Sequence, residues 1–435
     1  MTLYQRSYLK TLLPAAVLML IEVGLFSRVR PVGLTGELLC GLGWVLCLGT
    51  GMVVLSGLVV FWRDRALAAG REDLFLRLNR SRSEKSLEQG RPGLLSRLLS
   101  VATARSRGLR VGDEVEVLPL SEIQRTLTAD ASLDGLPFQP EMAAFCGQRF
   151  RVYRRVDKIH DYRRTGKMRR LRNAVSLVGL RCDGSAHDAC QARCCLIWKE
   201  AWLRRVAPGE DRAATASPAT TNVIGASLRS LGAPCEASSS TPPEKLFRCQ
   251  FTQLAAASTP LHAWDVRQDL WPLISGNVTV RAFVIAVLTR LFNRVQTLRR
   301  GTPFPPGPTR SVSRTVQAAP VAPGEWVRVR QADEIGTTLD ARGRNRGLWF
   351  DLDMLKFCDR SFVVAARVDR IIDAATRRML QMKTPCLTLA DVAASGEYLR
   401  FCSQHEEIFW REVWLRPDAD HDTRTTTCKA SQGMR

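Results

Sequence analysis

Residues 198–204 read Trp-Lys-Glu-Ala-Trp-Leu-Arg, and residues 410–416 read Trp-Arg-Glu-Val-Trp-Leu-Arg. A shift of 212 positions carries one heptapeptide onto the other, and the same shift aligns the sequence before them without a gap. Gly112, Val115 and Val117 fall on Gly324, Val327 and Val329; Glu122, Ile123 and Leu127 fall on Glu334, Ile335 and Leu339. Gly135, Leu136, Phe138 and Met142 meet Gly347, Leu348, Phe350 and Met354, and Phe145-Cys146 meets Phe357-Cys358. Phe150, Val152, Arg155, Val156, Asp157 and Ile159 meet Phe362, Val364, Arg367, Val368, Asp369 and Ile371. A register held over that distance is a tandem duplication of one structural unit, Gly112–Arg204 and Gly324–Arg416.

Each copy reads as β-rich. Glu114–Leu118 and Trp326–Val329 are expected as short strands, Ser121–Leu127 and Ala332–Leu339 as helical turns. Phe150/Val152 and Phe362/Val364 alternate at strand period, Val175–Leu180 and Leu387–Val392 give another strand, and the Trp-rich heptapeptide a last one. Several short strands separated by turns favour a small SH3-like barrel. The expected organisation is a membrane anchor over 1–66, a basic helical connector over 67–110 and a first repeat over 111–206. A flexible Ala/Ser/Thr/Pro-rich linker over 207–263, a basic amphipathic helical segment over 264–300 and a Pro-rich linker over 301–323 follow. The second repeat spans 324–417, and 418–435 is a disordered tail. Within 264–300, apolar residues from Val280 to Val295 recur at helical spacing with Asn277 as the expected cap; Leu95-Ser-Arg-Leu98 echoes Leu288-Thr-Arg-Leu291 and predicts a similar helix before the first unit.

The N-terminus holds two apolar runs. Leu12–Phe26 is interrupted by Glu22, whereas Leu38–Trp62 carries no charge and is long enough to cross a bilayer. The first run admits a signal-peptide reading, but no small-x-small cleavage site follows it; two transmembrane helices turning near Pro31–Gly33 is the preferred reading. Arg63, Arg65, Arg71, Arg77, Arg80 and Arg82 follow the second span, against Arg28 and Arg30 in the turn, so the bulk of the chain is expected on the cytoplasmic side of a bacterial inner membrane.

A net charge of +21 on 435 residues favours anionic partners. The run Arg149–Arg172 concentrates it, with Arg163, Arg164, Lys167, Arg169 and Arg170 and the interleaved Tyr153 and Tyr162; anionic lipid headgroups, a protein partner and nucleic acid are ranked in that order. The second copy carries fewer basic residues there, so the feature is not a requirement of the fold. Glu200 and Glu412, between their Trp pairs, read as partners of a nearby arginine, with a binding surface as the rival.

The chemical signal lies in the cysteines, 13 in all. Thiolates and imidazoles suit zinc, with an iron–sulfur cluster as the alternative, and a cytosolic setting disfavours disulfides. The first repeat offers Cys146, Cys182, His187, Cys190 and Cys194; buried free thiols are the rival reading. In the second repeat Cys146 and Cys190 are matched by Cys358 and Cys402, but Cys182, His187 and Cys194 meet Ala394, Leu399 and Glu406. A rearranged set of Cys358, Cys386, Cys402 and His405 is the remaining option there; loss of the site is preferred. Cys235 and Cys249 carry little signal. No phosphate-binding loop, dinucleotide fingerprint, His-Glu-x-x-His or nucleophile elbow occurs, and five histidines leave little general-base capacity.

Phe145-Cys-Gly147, Arg181-Cys-Asp-Gly184 and the Trp heptapeptide together resemble an uncharacterised bacterial membrane-anchored family associated with gene clusters for envelope polysaccharides or natural products. The resemblance implies a biosynthetic setting and no catalytic residue. The expected function is therefore a membrane-anchored, metal-binding accessory or scaffold working with proteins of a biosynthetic machine. A metal-dependent enzyme using the first-repeat cysteines, and a membrane-tethered nucleic-acid binder, are the alternatives.

Overall fold

In the computed structural model the duplication is visible at the level of hydrogen-bond register. The structure describes residues 17–19, 21–22, 33–79, 108–162, 164–206, 235–237, 245–308 and 320–418. In the first unit, β1 (Glu114–Val117), β2 (Arg149–Arg155), β5 (Ala174–Arg181), β6 (Cys195–Lys199) and β7 (Leu203–Arg205) form one sheet in the order β6-β5-β2-β1-β7. Between β2 and β5 stands a hairpin of β3 (Lys158–Asp161) and β4 (Lys167–Arg170). In the second unit, β8 (Trp326–Val329), β9 (Ser361–Ile372), β10 (Met379–Leu389) and β11 (Leu415–Pro417) repeat the order as β10-β9-β8-β11. Val115 pairs with Phe150 and Arg205, and Val327 pairs with Phe362 and Pro417. Val175 faces Trp198, and Leu387 faces Trp410. Each pair differs from its counterpart by the shift found in the sequence, and each sheet curls over its own apolar core.

The Trp heptapeptide is not one strand. Alternation would put residues 198, 200 and 202 on a single face and bury Glu200 among the indoles. A 3-10 turn at Glu200–Trp202, repeated at Glu412–Trp414, rotates the glutamate outward while all four Trp side chains stay fully buried. Glu200 then pairs with Arg155, and Glu412 with Arg367 at 2.6 Å, as the arginine-partner reading expected. Trp202 Nε1 donates to Thr126 Oγ1 at 3.0 Å, and Trp414 Nε1 to Thr338 Oγ1 at 2.9 Å.

The two units face each other by a reciprocal exchange. Gln191 N–H donates to the Arg370 carbonyl, and Ser403 N–H donates to the Lys158 carbonyl, both at 3.1 Å. Ile372 N–H donates to Cys190 Sγ at 3.4 Å, and His160 N–H to Cys402 Sγ at 3.2 Å. Positions i and j of one copy thus meet j and i of the other, the pattern of a two-fold interface inside one chain. Gly184 and Gly396, both at positive φ, let the loops close: a Cβ at either would strike the backbone of Cys190 or Cys402.

Helix α1 (Gly33–Ala68) contains a stretch, Cys47–Ala68, long and apolar enough to cross a membrane. Residues 17–19 and 21–22 are also helical; Met19 lies beside Gly51, and Thr50 Oγ1 donates to Glu22 Oε2 at 2.7 Å. Of the turn expected near Pro31–Gly33, Gly33 already begins α1 and residues 31–32 lie outside the described residues, as do the helix expected at 95–98 and the tail from 419 onward. Helix α5 (Val280–Leu298) forms where the apolar spacing predicts a helix, but the face it buries runs through Ala282, Ile285, Ala286, Thr289 and Phe292, with Phe292 against Val60 of α1 and Phe304, while Val284 and Val287 stay exposed. Its cap is Thr279, which accepts from Ala282 N–H, not Asn277. Asn277 instead bonds both backbone groups of Arg155, so the unit interface takes the side chain expected at the helix end. The linker is also shorter than its composition indicates. From residue 245 the chain is built into the first unit, with helix α3 (Gln250–Gln253) beneath β6.

The end of the apolar helix is tied down by charge. Arg63, with no exposed side-chain surface, reaches Asp73 at 2.9 Å and Glu397 at 2.6 Å and donates to Thr289 Oγ1 at 2.8 Å. Lys356, equally buried, joins Glu397 at 2.8 Å and Asp353 at 2.7 Å. Arg63 thus links the helix to the second unit through a side chain whose planar fork fits two carboxylates. Burial opposes the Glu397 charge, yet Arg63 and Lys356 hold its carboxyl at about 2, well below its ordinary 4.5. Removing one partner strands buried charge, so Glu397→Ala should cost about 3–5 kcal/mol, read as a lowered thermal midpoint of the full chain in detergent. The folded carboxyl titrates below the unfolded one, so its contribution is complete above pH 4.5 and is lost as pH falls towards about 2. The midpoint should drop across that window in the wild type, and the drop should be smaller in Glu397→Gln.

Candidate metal centre

The loop between β5 and β6 brings the first-repeat residues together. Cys182 stands just after β5, and its N–H donates to the Cys194 carbonyl at 2.9 Å, closing the loop at its base. Gly184 accepts from His187 N–H at 2.9 Å, which turns the imidazole inward, and the side chain is 1% exposed. Glu141, from the 3-10 turn Pro140–Phe145, reaches the same spot: its carboxylate accepts from Cys182 Sγ at 3.1 Å and lies 3.6 Å from His187 Nδ1. One ligand atom from each of Glu141, Cys182 and His187 lies within 4.8 Å of the others. Glu141 had no signal in the sequence reading; its position in a 3-10 turn far from the loop gives no local clue.

Glu141 Oε1 is bonded by Cys182 and Gln139, but three other polar atoms here make no hydrogen bond. Neither ring nitrogen of His187 has a hydrogen bond, and neither has Glu141 Oε2, although all three atoms are buried. Such orphans are rare and mark an absent partner or a strained site. The cavity beside them is lined by Cys190, Cys194 and Cys249 as well as Cys182 and His187. Burial raises the Cys182 and Cys194 thiols above their ordinary range, and the neighbouring carboxylate Glu141 pushes Cys182 further. Burial lowers His187 against the opposing pull of Glu141, favouring the neutral imidazole that coordinates metals. Protons on these thiols would be displaced by a bound cation.

The other predicted residues sit elsewhere. Cys146 packs against the first core, away from the cavity lining, and burial alone lifts its thiol to about 11. In the second unit Cys358 packs on that unit's core, Cys386 lies in β10 opposite Val368 next to Arg411, and Cys402 contacts the first unit. His405 is fully partnered: Nε2 meets the Tyr153 hydroxyl at 2.6 Å and Nδ1 the Ala394 carbonyl at 3.1 Å. These four form no ligand group among the described residues. Of the basic set, Arg163 lies outside the described residues. Arg164 donates to the Ala374 carbonyl, Arg169 to Ser258 and the Ala255 carbonyl, and Arg170 stacks 4.6 Å from the Trp271 ring centroid; Lys167 is exposed. Much of that cationic loop therefore holds the chain's own segment 255–271.

Compared with protein-family profiles and with curated proteins, the chain finds no match. The geometry therefore carries the functional argument alone. Cys146→Val, close in volume at a half-buried core position, should cost less than about 1.5 kcal/mol. Metal analysis of that variant in detergent should return the same metal-to-chain ratio as the wild type.

Proposed function

We propose that this protein is a membrane-anchored accessory or scaffold protein whose first repeat binds a metal ion, zinc by its donor chemistry. The observation that carries the reading is the Glu141–Cys182–His187 group, its imidazole buried with Nδ1 3.6 Å from the Glu141 carboxylate and neither ring nitrogen hydrogen-bonded. The second copy adds support. Asp353 occupies the place of Glu141, and its charge is met by Lys356 and by the Ser395 hydroxyl, which donates at 2.7 Å. The place of Lys356 is Ala144 in the first copy, where no lysine or arginine bridge to Glu141 occurs among the described residues. A cation supplied from outside fits the position that a lysine fills in the other copy. Soft thiolates with imidazole select zinc over calcium or magnesium.

The finer architecture belongs to the same reading. A strand order that places the last strand beside the first, with a 3-10 turn before the last strand, fits an SH3-like small barrel in each unit. Contacts of Met19 and Glu22 with the helix Gly33–Ala68 fit a two-helix anchor. The arginines after Trp62 fit an inner-membrane location with both units in the cytoplasm. Such a chain would hold protein partners of an envelope or natural-product biosynthetic machine at an anionic lipid surface.

The test is metal analysis of the full chain purified in detergent. One zinc per chain, lost together with thermal stability on chelation, is the expected result. A coloured or redox-active centre would move the protein to the enzyme class, and a chain that retains no metal under reducing conditions would end the reading.

A further inference from the structure

Resting on that metal reading, we infer that Cys249, which lies outside both repeats, is a ligand of the same ion, completing a set of Cys182, His187, Cys194 and Cys249. Comparison of the two copies separates ligands from bystanders. Cys190 persists as Cys402, and in both copies that thiol accepts a backbone N–H from the opposite unit. Its role is explained by the interface. Cys182, His187 and Cys194 are the donors replaced in the second copy, by Ala394, Leu399 and Glu406. They change together, as members of one site do when its ion is lost, and they leave one tetrahedral position to fill.

Cys249 is placed to fill it. It is buried and lines the same cavity as the other three residues; its sulfur and that of Cys194 stand outside the 4.8 Å group of Glu141, Cys182 and His187, so ion binding would draw the two sulfurs inward. It sits at the N-cap of α3, where its sulfur accepts from the Thr252 backbone N–H. Cys182 sulfur is likewise favoured by the Gly184 N–H. Backbone donors on sulfur stabilise the thiolate form that zinc requires and orient it, the usual arrangement around structural zinc. Three thiolates and one imidazole make a closed tetrahedral site. Glu141 then lies in the outer layer, within reach of the His187 ring, where a carboxylate fixes the tautomer of a ligating histidine.

The consequence is mechanical. The ion would clip the chain at residue 249, just beyond the Ala/Ser/Pro-rich stretch, to the loop of the first unit. Gln250, alongside, bonds both backbone groups of Ile197 and the Pro137 carbonyl, so the clip and these bonds fix one segment. Since that segment leads into the helix packed on α1, occupancy of the site would set how the first unit is held at the membrane end.

The experiment uses the full chain in detergent, with zinc content measured directly and the site reloaded with cobalt(II) for absorption spectroscopy. The wild type should hold one ion, with tetrahedral d–d bands and a thiolate charge-transfer band. Cys249→Ala should lose the ion or bind it at least about tenfold more weakly, with faster proteolysis of the 245–257 segment. Cys249→His should keep the tetrahedral bands while the charge-transfer band falls by about a third, one thiolate of three. That second variant guards against simple misfolding of the first. If Cys249→Ala and Cys249→His both keep wild-type metal content and charge-transfer intensity while Cys182→Ala loses the ion, the metal reading stands and the role of Cys249 is overturned. If the wild type takes up no zinc or cobalt, both fall.

Discussion

Each copy sends one loop across to the other, and the loop ends on a backbone hydrogen bond to a sulfur: Ile372 N–H to Cys190, His160 N–H to Cys402. This exchange is the constraint on which the rest of the molecule depends. It fixes the loop 182–190 against the second unit and the loop 394–402 against the first, with a glycine at positive φ at the same point in each. Once the two loops are held by identical scaffolding, their interiors are free to differ. The fold tolerates that divergence because the sheets, the Trp pairs and the Arg–Glu surface pairs do not depend on what the loops contain.

The divergence follows one electrostatic theme. In both copies an acidic residue from a 3-10 turn, Glu141 or Asp353, points at the loop. Buried carboxylate needs a cation or a dense set of donors. The second copy supplies Lys356 from the same turn, and its loop contributes Glu397, which in turn receives Arg63 from the apolar helix. The first copy supplies thiols, one of which donates to Glu141, and an imidazole that makes no hydrogen bond. A loop that faces the apolar helix in one copy therefore faces a candidate ion in the other, and both tie a neighbouring segment to a unit by buried charge.

Helix α5 completes the connection. Its apolar side packs on α1, while Arg290 reaches Asp269 and lies 4.4 Å from the Phe401 ring centroid, in the loop of the second unit. The basic residues that made this segment read as a basic amphipathic helix are thus partly spent on the protein itself. The same holds for Arg169 and Arg170 in the β3–β4 hairpin. Net charge counts residues without regard to their partners, which is why composition overstated the free cationic surface.

The sequence alone determined the duplication, its register and the apolar helix, because periodic burial and a fixed shift are written into residue order. It also determined that Cys182, His187 and Cys194 of the first loop lack counterparts in the second, while Cys190 keeps one in Cys402. Tertiary structure decided what stands beside them. Glu141 and Cys249 reach the loop from positions far away in the chain, and no local pattern encodes such a meeting. Cys146, paired with its repeat counterpart by sequence, is drawn instead into the core, where packing governs. The 3-10 turn in the Trp heptapeptide was likewise hidden, since a buried glutamate between two indoles is forbidden only once the core they fill is known. Linear spacing records which residues share a face of one element; it does not record which elements meet.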